Sequence, residues 1–261
     1  MKLQAIDKLI AILKQLRDPI TGCDWDKVQT FDSITSCTLE ETYEVLDTIK
    51  QKNYPELQKE LGDLLFQIVF YAELADEQKL FNFDDVCQAI CDKLIQRHPH
   101  IFSENKRKVA WETLKQQERN QKKQFSILDD IPLSMPALMR AEKVQKRCAS
   151  VGFDWNTLPP VVDKVKEELE EVIVELNREN PIKKNIEEEI GDLLFATVNL
   201  ARHLGLHSEF ILQQAIHKFI QRFNYIETYF NNKNQALSDI TLEEMESVWQ
   251  QAKQHEKQKL K

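Results

Sequence analysis

The sequence of 261 residues contains one pattern of residues twice, in the same order. The matching segments are GCDWD at 22–26 with GFDWN at 152–156, ELGDLLF at 60–66 with EIGDLLF at 189–195, and KLIQR at 93–97 with KFIQR at 218–222. All four tryptophans and four of the five glycines fall at paired positions, which chance similarity between charged helices does not produce. Such a repeat predicts two structural units of one type. We place them at 1–118 and 134–261, with a linker at 119–133.

Each copy is predicted to be a bundle of α-helices. Leu, Glu, Lys, Gln and Ile dominate the composition and favour helices, and strand-like alternation is absent. Apolar residues recur at helical spacing, as in Leu3, Ile6, Leu9 and Leu13. The predicted helices are 3–17, 33–52, 55–78, 84–97 and a segment around Trp111, then 136–149, 158–178, 182–204, 208–230 and 241–256. The expected fold class is all-α, with helices packed through apolar faces.

Both copies carry the same set of acidic residues on two successive predicted helices. The sets are Glu40, Glu41, Glu44, Glu60 and Asp63 in the first copy, and Glu167, Glu168, Glu171, Glu189 and Asp192 in the second. At about 100° per residue, each Glu-Glu-x-x-Glu and each Glu-x-x-Asp falls on one helix face. A short turn makes the two helices antiparallel, so both groups of acids can meet.

These acids predict a divalent metal site. Like charges one turn apart destabilise a helix by roughly 0.2–0.5 kcal/mol per pair, and converging carboxylates protonate unless a cation is present. Mg²⁺ and Mn²⁺ prefer oxygen ligands. A solvated acidic face is the alternative, and it is the interpretation for the other acids of the second copy, Glu170, Glu175, Glu187 and Glu188. A ferritin-like di-iron site would need a histidine three residues after a glutamate, which neither set has.

Basic and aromatic residues are the candidate substrate ligands. They are Lys93, Arg97 and Trp25 in the first copy, and Lys218, Arg222, Trp155 and Trp249 in the second. Each Lys–Arg pair is four residues apart and could meet a triphosphate, although ordinary surface cations give the same spacing. The indoles could stack on a base, with core packing as the alternative. His98 and His100 have no histidine counterparts, so they are not part of the repeated site.

Composition narrows the classes of partner. The net charge of −8 disfavours binding to a nucleic-acid backbone, and the most apolar run is too short to span a membrane. The start of the chain predicts an amphipathic helix and no signal peptide. The five cysteines form no Cys-x-x-Cys pair and are predicted to be buried free thiols in the cytoplasm.

A resemblance to a known family adds to these predictions. GCDWDKVQT, TLEETYEVLD, ELGDLLFQIVFYA, RHPHIF, KRCASVGFDW and EIGDLLFATVNLARH together closely resemble the MazG family in its tandem-domain bacterial form. The resemblance covers essentially the whole chain. It implies an all-α nucleoside triphosphate pyrophosphohydrolase that requires Mg²⁺ and converts NTP and water to NMP and pyrophosphate. It also implies a homodimer in which helices of two subunits complete each core.

The resemblance further assigns the metal ligands to both acid sets and favours the second copy as the catalytic one. The candidate catalytic residues are then Glu168, Glu171 and Glu189, and a glutamate that is not fully committed to metal takes the proton of the attacking water. Two other functions fit the residues less well. One is a nucleotide-sensing or partner-binding stress-response protein without turnover, and the other is a structural helical dimer.

Overall fold

A computed structural model describes residues 4–102 and 126–259, and all regular secondary structure in these residues is helical. The predicted all-α class is confirmed. The chain divides into two compact units, Met1–Leu114 and Lys115–Lys261. The bounds of the linker stay a prediction, and Trp111 and Lys115 lie outside the described residues.

The first unit contains five helices in its described part. They are α1 (Ala5–Leu16), α2 (Thr35–Gln51), α3 (Tyr54–Glu77), α4 (Phe83–Arg97) and the short α5 (Pro99–Phe102), with a 3₁₀ turn at Asp26–Val28. The second unit contains α6 (Ala137–Ala149), α7 (Leu158–Leu176), α8 (Lys183–His203), α9 (Ser208–Asn231) and α10 (Leu242–Lys259). The long helices begin and end close to the predicted positions. The short α5 was not predicted.

The connection between α2 and α3 explains how two acidic helices come together. Lys52 ends α2 in the left-handed conformation, with φ 57°. The side chain of Asn53 then accepts a hydrogen bond from the backbone of Glu56, and Pro55 lies in the first turn of α3. Helix α3 therefore starts after a connection of only two residues and packs back against α2. In the second unit, α7 and α8 pack in the same way.

The cores of the two units lie in different places. In the first unit α1 and α3 enclose an apolar cluster of Leu13, Ile34, Val69, Phe70 and Leu74. The guanidinium of Arg17 lies 5.2 Å from the centre of the Phe70 ring and forms a two-pronged ion pair with Glu77. In the second unit the apolar cluster lies between α9 and α10 and consists of Ile226, Phe230, Ile240 and Val248.

The paired glycines Gly22 and Gly152 are needed for different reasons. Gly152 has φ +90°, a conformation that side chains with a Cβ rarely adopt, and it turns the chain after α6. Gly22 lacks a positive φ, but a Cβ there would lie 2.4 Å from the carbonyl oxygens of Leu16 and Asp18. Both glycines lead into the loop that carries the Asp-Trp pair.

Two expectations about side-chain burial were wrong. Glu175 is not on a solvated face, because it is 6% exposed, accepts a hydrogen bond from Asn185 and pairs with Arg178. The cysteines are free, but none is buried: Cys23 and Cys91 are exposed, and Cys37, Cys87 and Cys148 are half-buried. No helix in the described part of the chain is both long and apolar enough to cross a membrane.

Candidate active site

In each unit three of the predicted acids converge between the two paired helices. Their carboxylate oxygens lie within 4.8 Å of one another, which is the spacing that one metal ion could bridge. The groups are Glu41, Glu60 and Asp63 in the first unit, and Glu168, Glu189 and Asp192 in the second. We call them the first and second acid clusters.

Glu44 and Glu171 lie beside their clusters. Desolvation, followed by a hydrogen bond and repulsion from Glu168, raises the pKa of Glu171. In the first cluster, desolvation and then repulsion from Asp63 and Glu44 raise the pKa of Glu41, and the pKa of Glu60 is raised in the same way with Glu44 as the main neighbour. Both sites thus concentrate negative charge that a cation would relieve.

Glu40 and Glu167 do not join the converging oxygens. Both are exposed, and Glu167 instead accepts a hydrogen bond of 2.8 Å from Lys164. Glu40 nevertheless lines the cleft beside the first acid cluster together with Glu44 and Glu60. In each unit, therefore, three of the five predicted acids converge and a fourth, Glu44 or Glu171, lies beside them.

Lys164 is a functional candidate that the sequence reasoning missed. Its ammonium lies 2.7 Å from Glu168 and 2.8 Å from Glu167, and hydrogen bonds to these two carboxylates raise its pKa. The signal in the sequence is a lysine three and four residues before the two adjacent glutamates, where one helix turn brings the charges together. The equivalent residue in the first unit is Cys37.

A cavity of about 420 Å³ adjoins the second acid cluster. Glu168, Asp192 and Lys164 form part of its wall, so the cavity reaches the acids directly. Its remaining wall comes from α6, the loop 152–155 and α8: Gln145, Cys148, Gly152, Phe153, Asp154, Trp155, Phe195, Ala196, Asn199 and Arg202. Trp155 is 42% exposed, because part of its ring faces the open cavity. A pocket with apolar walls and a few polar groups is the usual form of a small-molecule site.

Asp154 fastens the loop 152–155 to α8. Its two oxygens accept hydrogen bonds of 2.9 and 2.6 Å from Arg202, and its Oδ1 lies 2.9 Å from Nε2 of His203. Hydrogen bonding from Arg202 is the main cause that holds the pKa of Asp154 below its usual range. In the first unit the equivalent Asp24 is exposed and pairs only locally with Lys27.

The first acid cluster adjoins an open cleft of different character. Glu40, Glu44 and Glu60 line it, together with Tyr43, Asp47, Thr48, Gln51, Asn53 and Glu56. The predicted stacking residue Trp25 is not among these and is 53% exposed. Lys93 is exposed on α4, and Arg97 is the last residue of that helix.

Arg222 and Trp249 lie together on α9 and α10. The Arg222 guanidinium is 5.5 Å from the centre of the Trp249 ring and pairs with Glu256 at 2.7 Å. Trp249 also contacts Phe219, with ring centres 5.0 Å apart, and Lys218 is exposed nearby on α9. Arg222 is therefore held by α10, and none of these residues lines the cavity beside the second acid cluster.

Comparison with known proteins places this site in a family. The chain matches the MazG nucleotide pyrophosphohydrolase domain twice, over residues 29–102 and 159–226. The two matches include both sets of predicted acids.

Two relatives that are named as nucleoside triphosphate pyrophosphohydrolases match this chain over nearly the full length of both proteins. The chain is 55% identical to the nucleoside triphosphate pyrophosphohydrolase of Escherichia coli strain K12, over 96% of this chain and 98% of that protein. It is 38% identical to the nucleoside triphosphate pyrophosphohydrolase/pyrophosphatase MazG of Thermotoga maritima, over 95% of each chain. An uncharacterized protein of Bacillus subtilis is also 38% identical, over 95% of this chain and 51% of that protein.

Proposed function

The chain belongs to the MazG family, and we propose that it is a Mg²⁺-dependent nucleoside triphosphate pyrophosphohydrolase that acts through the second acid cluster. The substrates are NTPs or dNTPs, with altered nucleotides as further candidates, and the products are the nucleoside monophosphate and pyrophosphate. One observation carries the assignment to the second unit. Two of its three converging acids, Glu168 and Asp192, also line a cavity large enough for a small molecule.

The second acid cluster fits a hard divalent ion. Its converging atoms are all carboxylate oxygens, which Mg²⁺ prefers. Glu168 is only 5% exposed, so its charge is costly without a nearby cation, and Lys164 supplies one. Glu168, Glu189 and Asp192 would hold Mg²⁺, and Mn²⁺ could take the same ligands. When bound, the ion would polarise the α-phosphate and lower the pKa of a water molecule.

The remaining acid beside the second cluster is the best candidate for the base. Glu171 has a raised pKa and lies outside the three converging oxygens, so it can accept a proton from the attacking water. The water oxygen bonds to the α-phosphorus as the bond from that phosphorus to the bridging oxygen breaks, and pyrophosphate leaves. Lys164 can exchange its hydrogen bond to Glu167 for one to a phosphate oxygen of the substrate. A charge-assisted hydrogen bond of this kind is strong.

Lys218, Arg222 and Trp249 are proposed as a second group of substrate ligands, and Trp155 as a wall for the nucleoside. The planar guanidinium of Arg222 suits two phosphate oxygens at once, but it would have to exchange Glu256 for them. Trp155 already lies in the cavity wall. In the first unit Trp25, Lys93 and Arg97 stay predictions for a corresponding role.

We also propose that the chain is a homodimer. The paired acidic helices expose rows of large apolar side chains, among them Leu39 and Leu46 on α2, and Leu169 and Ile173 on α7, each between 39% and 59% exposed. Contiguous apolar surface of this kind is usually covered by a partner. Replacing Ile173 with Glu should halve the mass measured by light scattering, whereas an unchanged mass would contradict a dimer through this face.

The proposed reaction is tested by tracing the water oxygen. The purified protein is incubated with ATP and Mg²⁺ in ¹⁸O-labelled water. The products are then separated, and their masses are measured by mass spectrometry. We expect AMP and pyrophosphate in equal amounts with the label in AMP, because the attack is at the α-phosphorus. Label in pyrophosphate would place the attack at the β-phosphorus. Release of orthophosphate would contradict the proposed function.

The control for this experiment is Glu168→Gln, which keeps the size of the side chain but removes its charge. It should form neither product while retaining its helical circular dichroism. A wild-type protein that binds ATP with Mg²⁺ but forms no product would support the sensor alternative instead.

A further inference from the structure

The second acid cluster has a cation of its own, the ammonium of Lys164. It lies 2.7 Å from Oε1 of Glu168, one of the three converging acids. In the described part of the chain, no other basic side chain forms an ion pair with Glu168, Glu189 or Asp192. Glu168 is 5% exposed, so little water is available to stabilise its charge. Lys164 therefore supplies the positive charge that this buried carboxylate needs.

A divalent ion would compete with Lys164 for Glu168. Mg²⁺ binds carboxylate oxygens at roughly 2.1 Å, so an ion held by Glu168 would lie only a few ångströms from the ammonium in its present position. Two positive charges at this distance repel each other, because it is shorter than the roughly 8–10 Å over which salt screens them. The low exposure of Glu168 also limits screening by water. Lys164 in this position therefore opposes the binding of a divalent ion.

Lys164 has a second partner within reach. Its side chain is 36% exposed and lines the cavity beside the second acid cluster. The four-carbon stem of a lysine is flexible, and its three donors can rotate. A triphosphate in this cavity would offer several anionic oxygens, and charge-assisted hydrogen bonds to phosphate are strong. The ammonium can therefore move from Glu168 to the substrate by rotation of the side chain alone.

We propose that Lys164 is the counter-cation of the second acid cluster until the substrate's phosphates withdraw it, so that the cluster takes up Mg²⁺ together with the nucleotide rather than before it. This inference rests on the proposed function, because it assumes that the cluster binds Mg²⁺ and that a nucleotide occupies the cavity. The phosphates free Glu168 for the ion, and the ion frees the ammonium for the phosphates. Such coupling is reciprocal, so it can be measured from either ligand.

The first acid cluster lacks this counter-cation. Cys37 lies at the position of Lys164 and carries no positive charge. Lys59, on the second of the paired helices, forms its ion pair with Glu56, which is not one of the three converging acids. An ion at the first acid cluster would therefore not have to displace an ammonium, so the proposed coupling belongs to the second unit.

The first measurement is calorimetry of the whole chain with Mg²⁺ alone, in an Asp63→Asn background that removes one acid of the first acid cluster. Lys164→Met should bind Mg²⁺ about 10–100-fold more tightly than the background protein, the range for one charge-assisted hydrogen bond. Lys164→Arg keeps the positive charge and should bind Mg²⁺ about as weakly as the background protein. Unchanged or weaker binding of Mg²⁺ in Lys164→Met would overturn the inference.

Lys166→Met is the matched control, because it removes the same charge from the same helix. Lys166 lies 3.0 Å from Asp163 in an exposed ion pair and does not contact the acid cluster. It should change the Kd for Mg²⁺ less than about twofold, since exposed ion pairs contribute little. An equal gain in Lys166→Met and Lys164→Met would attribute the effect to net charge and would also overturn the inference.

The second measurement is the Kd of α,β-methylene ATP, which resists attack at the α-phosphorus, with EDTA and with saturating Mg²⁺. Mg²⁺ should tighten the binding of this probe by a factor about tenfold larger in the wild-type protein than in Lys164→Met. The affinity of Mg²⁺ for the free probe is the same in both experiments and cancels. Equal factors in the two proteins would contradict the proposed coupling.

Neither measurement requires turnover, so this inference and the proposed reaction can fail separately. If both effects of Lys164→Met are found but ATP is not hydrolysed, the inference holds and only the proposed reaction fails. If ATP is hydrolysed and Lys164→Met changes neither the Kd for Mg²⁺ nor the coupling factor, the inference alone fails.

Discussion

The two units share their acidic residues but differ in what lies beside them. Along α8, Ala196, Asn199 and Arg202 line an open cavity. At the equivalent positions of α3 the first unit has Gln67, Phe70 and Glu73, and Phe70 is at the centre of its core. The corresponding helix therefore lines a cavity in the second unit, whereas in the first unit its Phe70 packs into the core.

The difference extends to the charge at the acids. In the second unit Lys164 reaches Glu168, whereas the first unit has Cys37 at that position and an open cleft lined by further acids. Because both units carry a complete acid set, the acids alone do not support the proposed assignment of catalysis to the second unit. The neighbouring volume and the counter-charge distinguish the two units.

The largest expected difference between the units is in catalysis. Asp192→Asn should lower kcat by about 10³-fold, because metal polarisation supplies several kcal/mol of transition-state stabilisation and 1.4 kcal/mol corresponds to a factor of ten. Asp63→Asn, its counterpart, should change kcat less than about twofold. Steady-state pyrophosphate release measures both. Equal losses would mean that both units are catalytic.

The next difference is in stability. Phe70→Ala should destabilise the first unit by about 3–5 kcal/mol, because Phe70 is fully packed. Asn199→Ala, at the equivalent position, should cost about 1 kcal/mol, because it loses only hydrogen bonds from Arg202. Urea unfolding followed by circular dichroism measures both. A Phe70→Ala protein as stable as wild type would show that the first unit is not packed as described.

Removing the positive charge of Lys164 should have a smaller effect on catalysis than removing Asp192. Lys164→Met should weaken kcat/KM by about 10–100-fold, the range for a lost hydrogen bond to a charged group. The same variant should bind Mg²⁺ more tightly in the absence of nucleotide, because the ammonium no longer competes for Glu168. Calorimetry with Mg²⁺ alone measures the second effect. Weaker Mg²⁺ binding in Lys164→Met would show that the lysine supports the metal site rather than competes with the ion.

The smallest effect concerns pH. The pKa values of Glu41 and Glu60 are raised in the folded protein, so folding is disfavoured while these groups are charged, and this penalty disappears as the pH falls through the raised pKa values. Glu41→Gln should therefore raise the melting temperature of the first unit at neutral pH, and the gain should shrink on acidification. Mg²⁺ should give a similar gain that also shrinks, because protons compete for the carboxylates. A gain that grows on acidification would contradict the raised pKa values.

The helices and the acid clusters were predictable because they depend on local periodicity. Glu41, Glu60 and Asp63 meet because each pair of acids shares a helix face and a two-residue connection joins α2 to α3. The repeat helped, since a pattern that occurs twice is less easily attributed to chance. The proposed roles of these acids remain to be tested by the variants above.

The cavity was not predictable in the same way. Gln145, Asp154 and Asn199 are individually ordinary polar residues, and they meet only because α6, a loop and α8 pack together. The burial of Glu175 was missed for the same reason, because its partner Asn185 comes from the next helix. Pairwise alignment of the two copies still contained one signal. Asn199 of the second copy aligns with Phe70 of the first copy, and the identical residues around both positions fix this alignment.

The attachment of Asp154 to Arg202 and His203 has a consequence for the energetics of ligand association. A wall that is already immobilised loses little conformational entropy when a molecule enters, so more of the contact energy appears as affinity. Free and occupied forms of the second unit should then share one backbone conformation around residues 152–155, and entry should resemble rigid docking more than induced fit.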